Sequence, residues 1–319
     1  MKKDTFVRTL VLSVAMVLLV IVMPLAAQGA KEQTAQPQVE TKVVVDELSR
    51  SVVIPKDPQR VVALTSAVMQ SLYNIGIAPV AKVEEYKVTK EGMSLPSVGR
   101  TSAINIEAVY ALEPDLIIAS SRFHAALKES LEQSGAAVFF FDPDKVGDIS
   151  VVDLTAYIGN LLGREEEAKK YVQSIYSLAQ ELRAGIVEPL GIKSAVMIQD
   201  GDTITAAQTA SSYGAMLRLL GLENIVGANL PGAGRASFVT YNIETILQQN
   251  PDVIFIVASS NNAASNQALL EKFENDEQWK HYTGQQGGRF VLLPFAANPN
   301  RSSIEDMLRI TAQVLKNGT

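Results

Sequence analysis

The chain contains no cysteine. Disulfides, thiolate metal sites and cysteine nucleophiles are excluded together, and with them a cysteine-linked lipid anchor. Histidine is nearly as scarce: His124 and His281 are the two present in 319 residues. A bare transition-metal site needs three or four converging imidazoles and carboxylates, so free Zn²⁺ or Mn²⁺ is disfavoured, and neither a resident metal nor a cofactor is expected. Trp279 stands alone among tryptophans and reads as structural. Positive charge is not in excess either, with a net charge of −6 and a pI near 5.2, which argues against nucleic acid as a partner.

Marks of catalysis are missing as well. "PGAGRAS" around Gly232, Gly234 and Arg235 copies part of a dinucleotide fingerprint, but no strand leads into it and no helix clearly opens after it. "ASSYGA" half resembles a nucleophile elbow and lacks its first glycine. No Ser/His/acid trio, paired metal ligands or phosphate loop is found.

What is present is a globular composition, 47% hydrophobic and 19% charged, in a chain long enough for two domains. Lys2, Lys3 and Arg8 precede an apolar run from Leu10 to Met23, and Ala27 and Gly29 fit a signal-peptidase site. Residues 1–29 are therefore expected to be a cleavable signal peptide, an uncleaved anchor being the alternative because residues 9–27 approach spanning length. An exported protein without a lipid anchor is best confined by a second membrane, so a periplasmic location is expected. Residues 30–42 read as a flexible tether.

One stretch is written almost twice, "NIEAVYALEPDLIIASS" at 105–121 and "NIETILQQNPDVIFIVASS" at 242–260. Asn105 and Asn242 suit helix N-caps, and Glu107 and Glu244 fall in the first turn, where the helix dipole favours negative charge. Pro114 and Pro251 end each helix, and the runs from Leu116 and Val253 read as strands buried on both faces. The spacing points to two similar lobes, each an α/β unit built on a parallel sheet.

The rest of the chain fits that plan. A hairpin over 42–55 turns near Glu47–Ser49, strands follow at "RVVALT" and "PVAKVE", and a helix at 66–76 stops at Gly76. A helix over 122–134 precedes the strand "AVFFFD", and residues 148–183 are helical with Gly163 as the interruption. Strands "KSAVMIQ", "TITAAQ" and "RFVLLPF" and a C-terminal helix complete the chain. The expected domains are an N-terminal α/β lobe at 43–147, a helical connector at 148–187 and a C-terminal α/β lobe at 188–319. Ligands of parallel sheets sit beyond the strand carboxyl ends, so Thr65, Ser66, Gln199, Asp200 and Ser259 become candidate contacts in a cleft between lobes.

"VVVDELSRSVVIPKDPQRVVAL", "LPSVGRTSAINIEAVYALEPDLIIAS", the linking helix, "NIETILQQNPDVIFI" and "GGRFVLLP" together resemble the substrate-binding proteins of ATP-driven importers for iron complexes, heme and cobalamin. Ser49 departs from the glycine usual in the family's turn. The resemblance implies two Rossmann-like lobes with parallel central sheets joined by one long rigid inter-lobe helix, with the ligand cleft between the lobes. It implies a monomeric periplasmic solute-binding protein that performs no chemistry and delivers cargo to an inner-membrane permease dimer. A secreted two-lobed α/β enzyme is the alternative.

Cargo of the metal-chelate type follows from the resemblance, with an iron–siderophore first, then a corrinoid, then heme. Relatives carrying siderophores often place an arginine at or near Arg100 and Arg122; each is either ligand-facing or a solvated loop residue. Where catechol-siderophore relatives carry further arginines this chain has Ser212 and Ser259, with Arg235 and Arg301 as weaker substitutes. Tyr86 stands where cobalamin-binding relatives present an aromatic. Phe123 and Phe238 could stack on a flat ligand or simply pack. Heme relatives tend to carry a tyrosine where Arg100 stands, which speaks against axial ligation there. In relatives, glutamates at the positions of Glu107 and Glu244 dock onto permease arginines; alternatively each merely stabilises its helix start.

Overall fold

The computed structural model describes residues 40–142, 145–146, 150–227, 230, 236–280, 282 and 288–318. The expected signal peptide, most of the tether, Gly232, Gly234, Arg235 and His281 lie outside the described residues.

The hairpin forms as expected, β1 (Thr41–Val45) pairing antiparallel with β2 (Ser51–Pro55). Buried Asp46 organises its turn by accepting from the amides of Leu48 and Arg50, both at 3.0 Å. Ser49 adopts φ 59°, so it enters the left-handed region without glycine's freedom and the turn survives the exchange.

The first sheet holds β3 (Val61–Ala63), later joined by two parallel strands. From β3 the chain enters α1 (Ser66–Asn74), then α2 (Lys90–Ser94), the short pair β4 (Gly99–Arg100) and β5 (Ala103–Ile104), and α3 (Ile106–Tyr110). The expected strand at 79–84 is not regular. Lys82 makes one parallel bridge to Ser97, its amide bonding the Pro96 carbonyl while Val98 bonds back to Lys82. Pro79 and Pro96 have no N–H to extend that ladder. After α3 come β6 (Leu116–Ser120), α4 (Ser121–His124), α5 (Lys128–Glu132) and β7 (Ala137–Phe141). The single helix expected over 122–134 is thus split by a 3₁₀ turn at Ala125–Leu127. The sheet order is β3-β6-β7, all parallel, and its strands are almost wholly buried.

The helical connector is a pair, not one element. α6 (Ser150–Leu162) ends at Gly163, whose φ of 68° reverses the chain into α7 (Glu165–Leu182), and the two helices pack on each other. α7 reaches from the first core, through Ala168, to the second, through Ile175, Leu178 and Ala179.

The second sheet is mixed rather than purely parallel. β8 (Ser194–Gln199) turns back into antiparallel β9 (Thr205–Ala207), then α8 (Ser212–Leu219), β10 (Glu223–Asn224), β11 (Phe238–Thr240), α9 (Ile243–Gln249) and β12 (Val253–Val257) follow. α10 (Ala263–Asn275), β13 (Arg289–Leu293) and α11 (Ile304–Asn317) close the chain. The order is β11-β9-β8-β12-β13 with β10 beside β8; β8, β10, β12 and β13 are parallel, and β9 is antiparallel to both its neighbours. Alternate residues of β12 enter two cores: Val253, Phe255 and Val257 on one face, Ile254 and Ile256 on the other. A strand covered on both faces reads as a continuous apolar run, as this one does.

The duplicated sequence is duplicated structure. Asn105 caps α3 by accepting from Ala108, and Asn242 caps α9 by accepting from Glu244. Glu113 and Asn250, each before its proline, take φ 43° and 45°, so the helices end in left-handed residues that the prolines follow. The aspartate after each proline then pins the neighbouring strand. Asp115 accepts from the amides of Gln59 and Arg60 at 2.6 and 3.0 Å, and Asp252 from those of Lys193 and Ser194 at 2.7 and 2.9 Å.

Candidate functional site

The parallel strands deliver their carboxyl ends to loops that meet across the two sheets. The amide of Lys87, beyond the bridged segment of the first sheet, donates to the carbonyl of Asn300, beyond β13, at 2.8 Å. Beyond the strand ends of the first sheet lie Thr65–Ser66, Glu85, Arg100–Thr101 and Ser120–Phe123, and beyond β13 lies the turn at Phe295–Ala297.

Two arginines stand on the first-sheet side. Arg100 is 65% exposed, with Nε 3.4 Å from a Glu85 carboxylate oxygen. Arg122 is half-buried in α4, its guanidinium carbon 5.9 Å from the centroid of Phe123, a ring that is itself 51% exposed. Arg301 is exposed and lies 4.5 Å from the centroid of Phe295, a cation–π contact. Arg100 and Arg301 thus stand at the surface, one beside a carboxylate and the other over a ring.

Glu85 and His124 hold the Arg100–Thr101 loop. Glu85 accepts from the Thr101 amide at 3.1 Å as well as from Arg100. His124 is fully buried; its Nδ1 accepts from the Ser120 amide at 3.0 Å, and its Nε2 bonds the Thr101 carbonyl at 2.8 Å. A carbonyl can only accept, so Nε2 carries the proton and the imidazole is neutral. Burial pushes the His124 pKa below the ordinary histidine value, against the smaller opposing effect of the Thr101 bond. Both ring nitrogens are committed, and among the described residues no group of three His, Asp or Glu could hold a metal ion.

Several expected contacts are engaged elsewhere. Tyr86 is buried completely: its hydroxyl donates to Gln70 at 2.9 Å and its ring stacks on Tyr73 at 6.1 Å, so it offers no ligand a face. Thr65 caps α1 by accepting from Val68 at 3.3 Å. Ser66 Oγ, like Ser120 Oγ, is buried with no hydrogen-bond partner among the described residues. Asp200 is ion-paired to Lys272 at 2.8 Å and lines a cavity of about 780 Å³ that Glu244, Tyr241 and Trp279 also line. Its carboxylate is thereby committed to α10. Phe238 packs on Tyr213 at 5.1 Å, and burial pushes that tyrosine's pKa up to about 12. Gln199 ends β8 opposite Thr205, and Ser259 is exposed after β12. Arg100, Arg122 and Phe123 are therefore the expected residues brought together, with Arg301 beside the Asn300 contact.

Glu107 and Glu244 are both exposed in the first turns of α3 and α9. Neither belongs to an ion pair among the described residues.

The chain belongs to the periplasmic binding protein family, whose pattern matches residues 61–297. It is similar to the Fe(3+)-citrate-binding protein YfmC of Bacillus subtilis, at 21% identity over 256 residues, 78% of this chain and 77% of that one. It is also similar to the ferric-anguibactin-binding protein FatB of Vibrio anguillarum, at 28% identity over 248 residues, 72% of this chain and 74% of that one. Its fold matches that of Staphylococcus aureus SirA complexed with staphyloferrin B, with a TM-score of 0.65 at 21% identity, over 86% of this chain and 98% of that one.

Proposed function

We propose that this protein is the solute-binding component of an ABC importer and captures a ferric chelate of the siderophore class between its N-terminal (43–147) and C-terminal (188–319) lobes. The observation that carries the reading is the placing of Arg100, on a loop, and Arg122, on α4, side by side through the His124–Thr101 bond, with Phe123 exposed beside Arg122. Guanidinium groups suit anionic oxygen donors, and an exposed ring suits the body of a bulky chelate. The names of the iron-chelate-binding relatives support the same cargo. Corrinoid and heme rank behind it, because buried Tyr86 offers a corrinoid no face and Arg100 occupies the place of an axial tyrosine.

The basic start and apolar run at 1–29 serve export to the periplasm in this account. Glu107 and Glu244 dock the loaded protein on paired permease subunits, one glutamate from each copy of the repeat. Isothermal titration with ferric citrate, a ferric tris-catechol complex, cobalamin and heme tests the ligand. Saturable binding of an iron chelate is expected, and binding confined to cobalamin or heme overturns the assignment.

A further inference from the structure

We infer that His124 is a positioning residue for the ligand: its neutral imidazole clamps the Arg100 loop to the Arg122 helix and so fixes the separation of the two guanidinium groups. The inference rests on the chelate-binding reading above. His124 joins the end of β6 to Thr101 through two buried hydrogen bonds, 3.0 and 2.8 Å long. Thr101 is in turn bonded to Glu85, and Glu85 holds Arg100, so one chain of contacts runs from Ser120 to the first arginine. Arg122 sits two residues before His124 on the same short helix. The β4–β5 turn is closely packed. Gly99 has φ +91°, and even a Cβ there would lie 2.5 Å from the Ala103 carbonyl oxygen. Moving Thr101 therefore moves Arg100.

The clamp requires one protonation state. A proton on Nδ1 would face the Ser120 N–H, donor against donor, in a site with no water-exposed surface on the ring. The charged groups on the elements bonded to His124 are Arg122 on its own helix, and Arg100 and Glu85 across Thr101. Acidification should loosen the Thr101 contact and separate the arginines.

Two amides divide the clamp. His124→Asn places an acceptor near Nδ1, keeping the Ser120 bond and losing Thr101; His124→Gln reaches the Nε2 position and keeps Thr101. The full chain is titrated with ferric citrate and with a ferric tris-catechol complex between about pH 7.5 and pH 5.5, spanning the histidine range. We expect the Asn variant to bind about five- to tenfold more weakly at neutral pH, and the Gln variant within about threefold of wild type. Wild-type affinity should fall with acidification by a factor that both variants lack; identical probe solutions cancel the protonation of the chelates themselves. In ligand-free protein, ¹⁵N NMR should show the Nε2–H tautomer, with the Arg100 and Arg122 Nε–H signals shifting as His124 titrates. Wild-type affinity and pH profile in the Asn variant overturn the inference alone. Arginine signals indifferent to His124 titration overturn it even if the variants do not fold. Absence of chelate binding by wild type removes the functional reading, and the inference with it.

Discussion

The Lys87 amide and the Asn300 carbonyl, 213 positions apart in sequence, are joined by a 2.8 Å hydrogen bond. They belong to loops of different sheets, and the bond is where those loops touch. If ligand enters between the sheets, these loops must part. Because the chain has no cysteine, Lys87→Cys with Asn300→Cys can be oxidised without competing thiols. Residues bonded this closely through their backbones lie within the usual Cα range for a disulfide. Oxidised protein should exchange bound chelate at least about tenfold more slowly than reduced protein, with reductant restoring the rate. Stopped-flow displacement measures it, and equal rates in both states would show that these loops are not a gate.

Arg122 makes a direct prediction about the ligand's charge. Replacing it with alanine should weaken binding of an anionic ferric chelate by about 1.5–3 kcal/mol, or roughly ten- to a hundredfold. A neutral chelate should lose much less. Calorimetry with both probes separates an ionic contact from lost packing against Phe123.

Glu107 and Glu244 should matter for transport and not for binding. Both are exposed, and neither is among the loops that carry the arginines. The double variant Glu107→Arg, Glu244→Arg should keep its melting temperature and ligand affinity and lose uptake, since two attractions at the docking surface become repulsions. Normal uptake with a lowered melting point would leave each glutamate a helix-start role worth about 0.3–1 kcal/mol.

Asp252 ties acid sensitivity to the repeat. Burial raises its pKa, but the bonds from Lys193 and Ser194 outweigh that and hold it below the usual aspartate value. A carboxyl more acidic in the folded state stabilises the fold above its unfolded pKa of about 3.9, and that stability is lost as pH falls through the folded pKa. Asp252→Ala should cost about 1–2 kcal/mol at neutral pH, a value discounted because the carboxylate is largely solvent-exposed. It should also flatten the acid limb of the stability curve below about pH 4. Chemical denaturation across pH checks both effects, and an unchanged acid limb would contradict the assignment.

The repeat, the arginine loops and the alternation of strand and helix were legible because each is a local pattern. Asn–Ile–Glu, then Pro–Asp, then an apolar run specifies a capped helix and a buried strand within twenty residues. What the aspartate does was not legible: Asp115 bonds Gln59 and Asp252 bonds Lys193, more than fifty residues earlier, with no mark at either partner. Nor was the partner of His124 legible, since Thr101 lies 23 residues away. The burial of Tyr86 was hidden for a similar reason, since it depends on Tyr73 and Gln70 of α1. The strand at 79–84 was lost to Pro96 on its partner as well as to its own Pro79. The mixed polarity of the second sheet rests on a tight return from β8 into β9 that hydrophobic pattern does not encode.

The most direct test of the account is to ask what the protein carries in its own cells. Native mass spectrometry, joined to absorption spectra, should be recorded on protein isolated gently from iron-starved cells. The account predicts an added mass containing one or more ferric ions in an organic chelate, with a visible charge-transfer band that fades when Arg122 is replaced by alanine. Bound zinc without a chelator, or a colourless sugar or peptide, would contradict it.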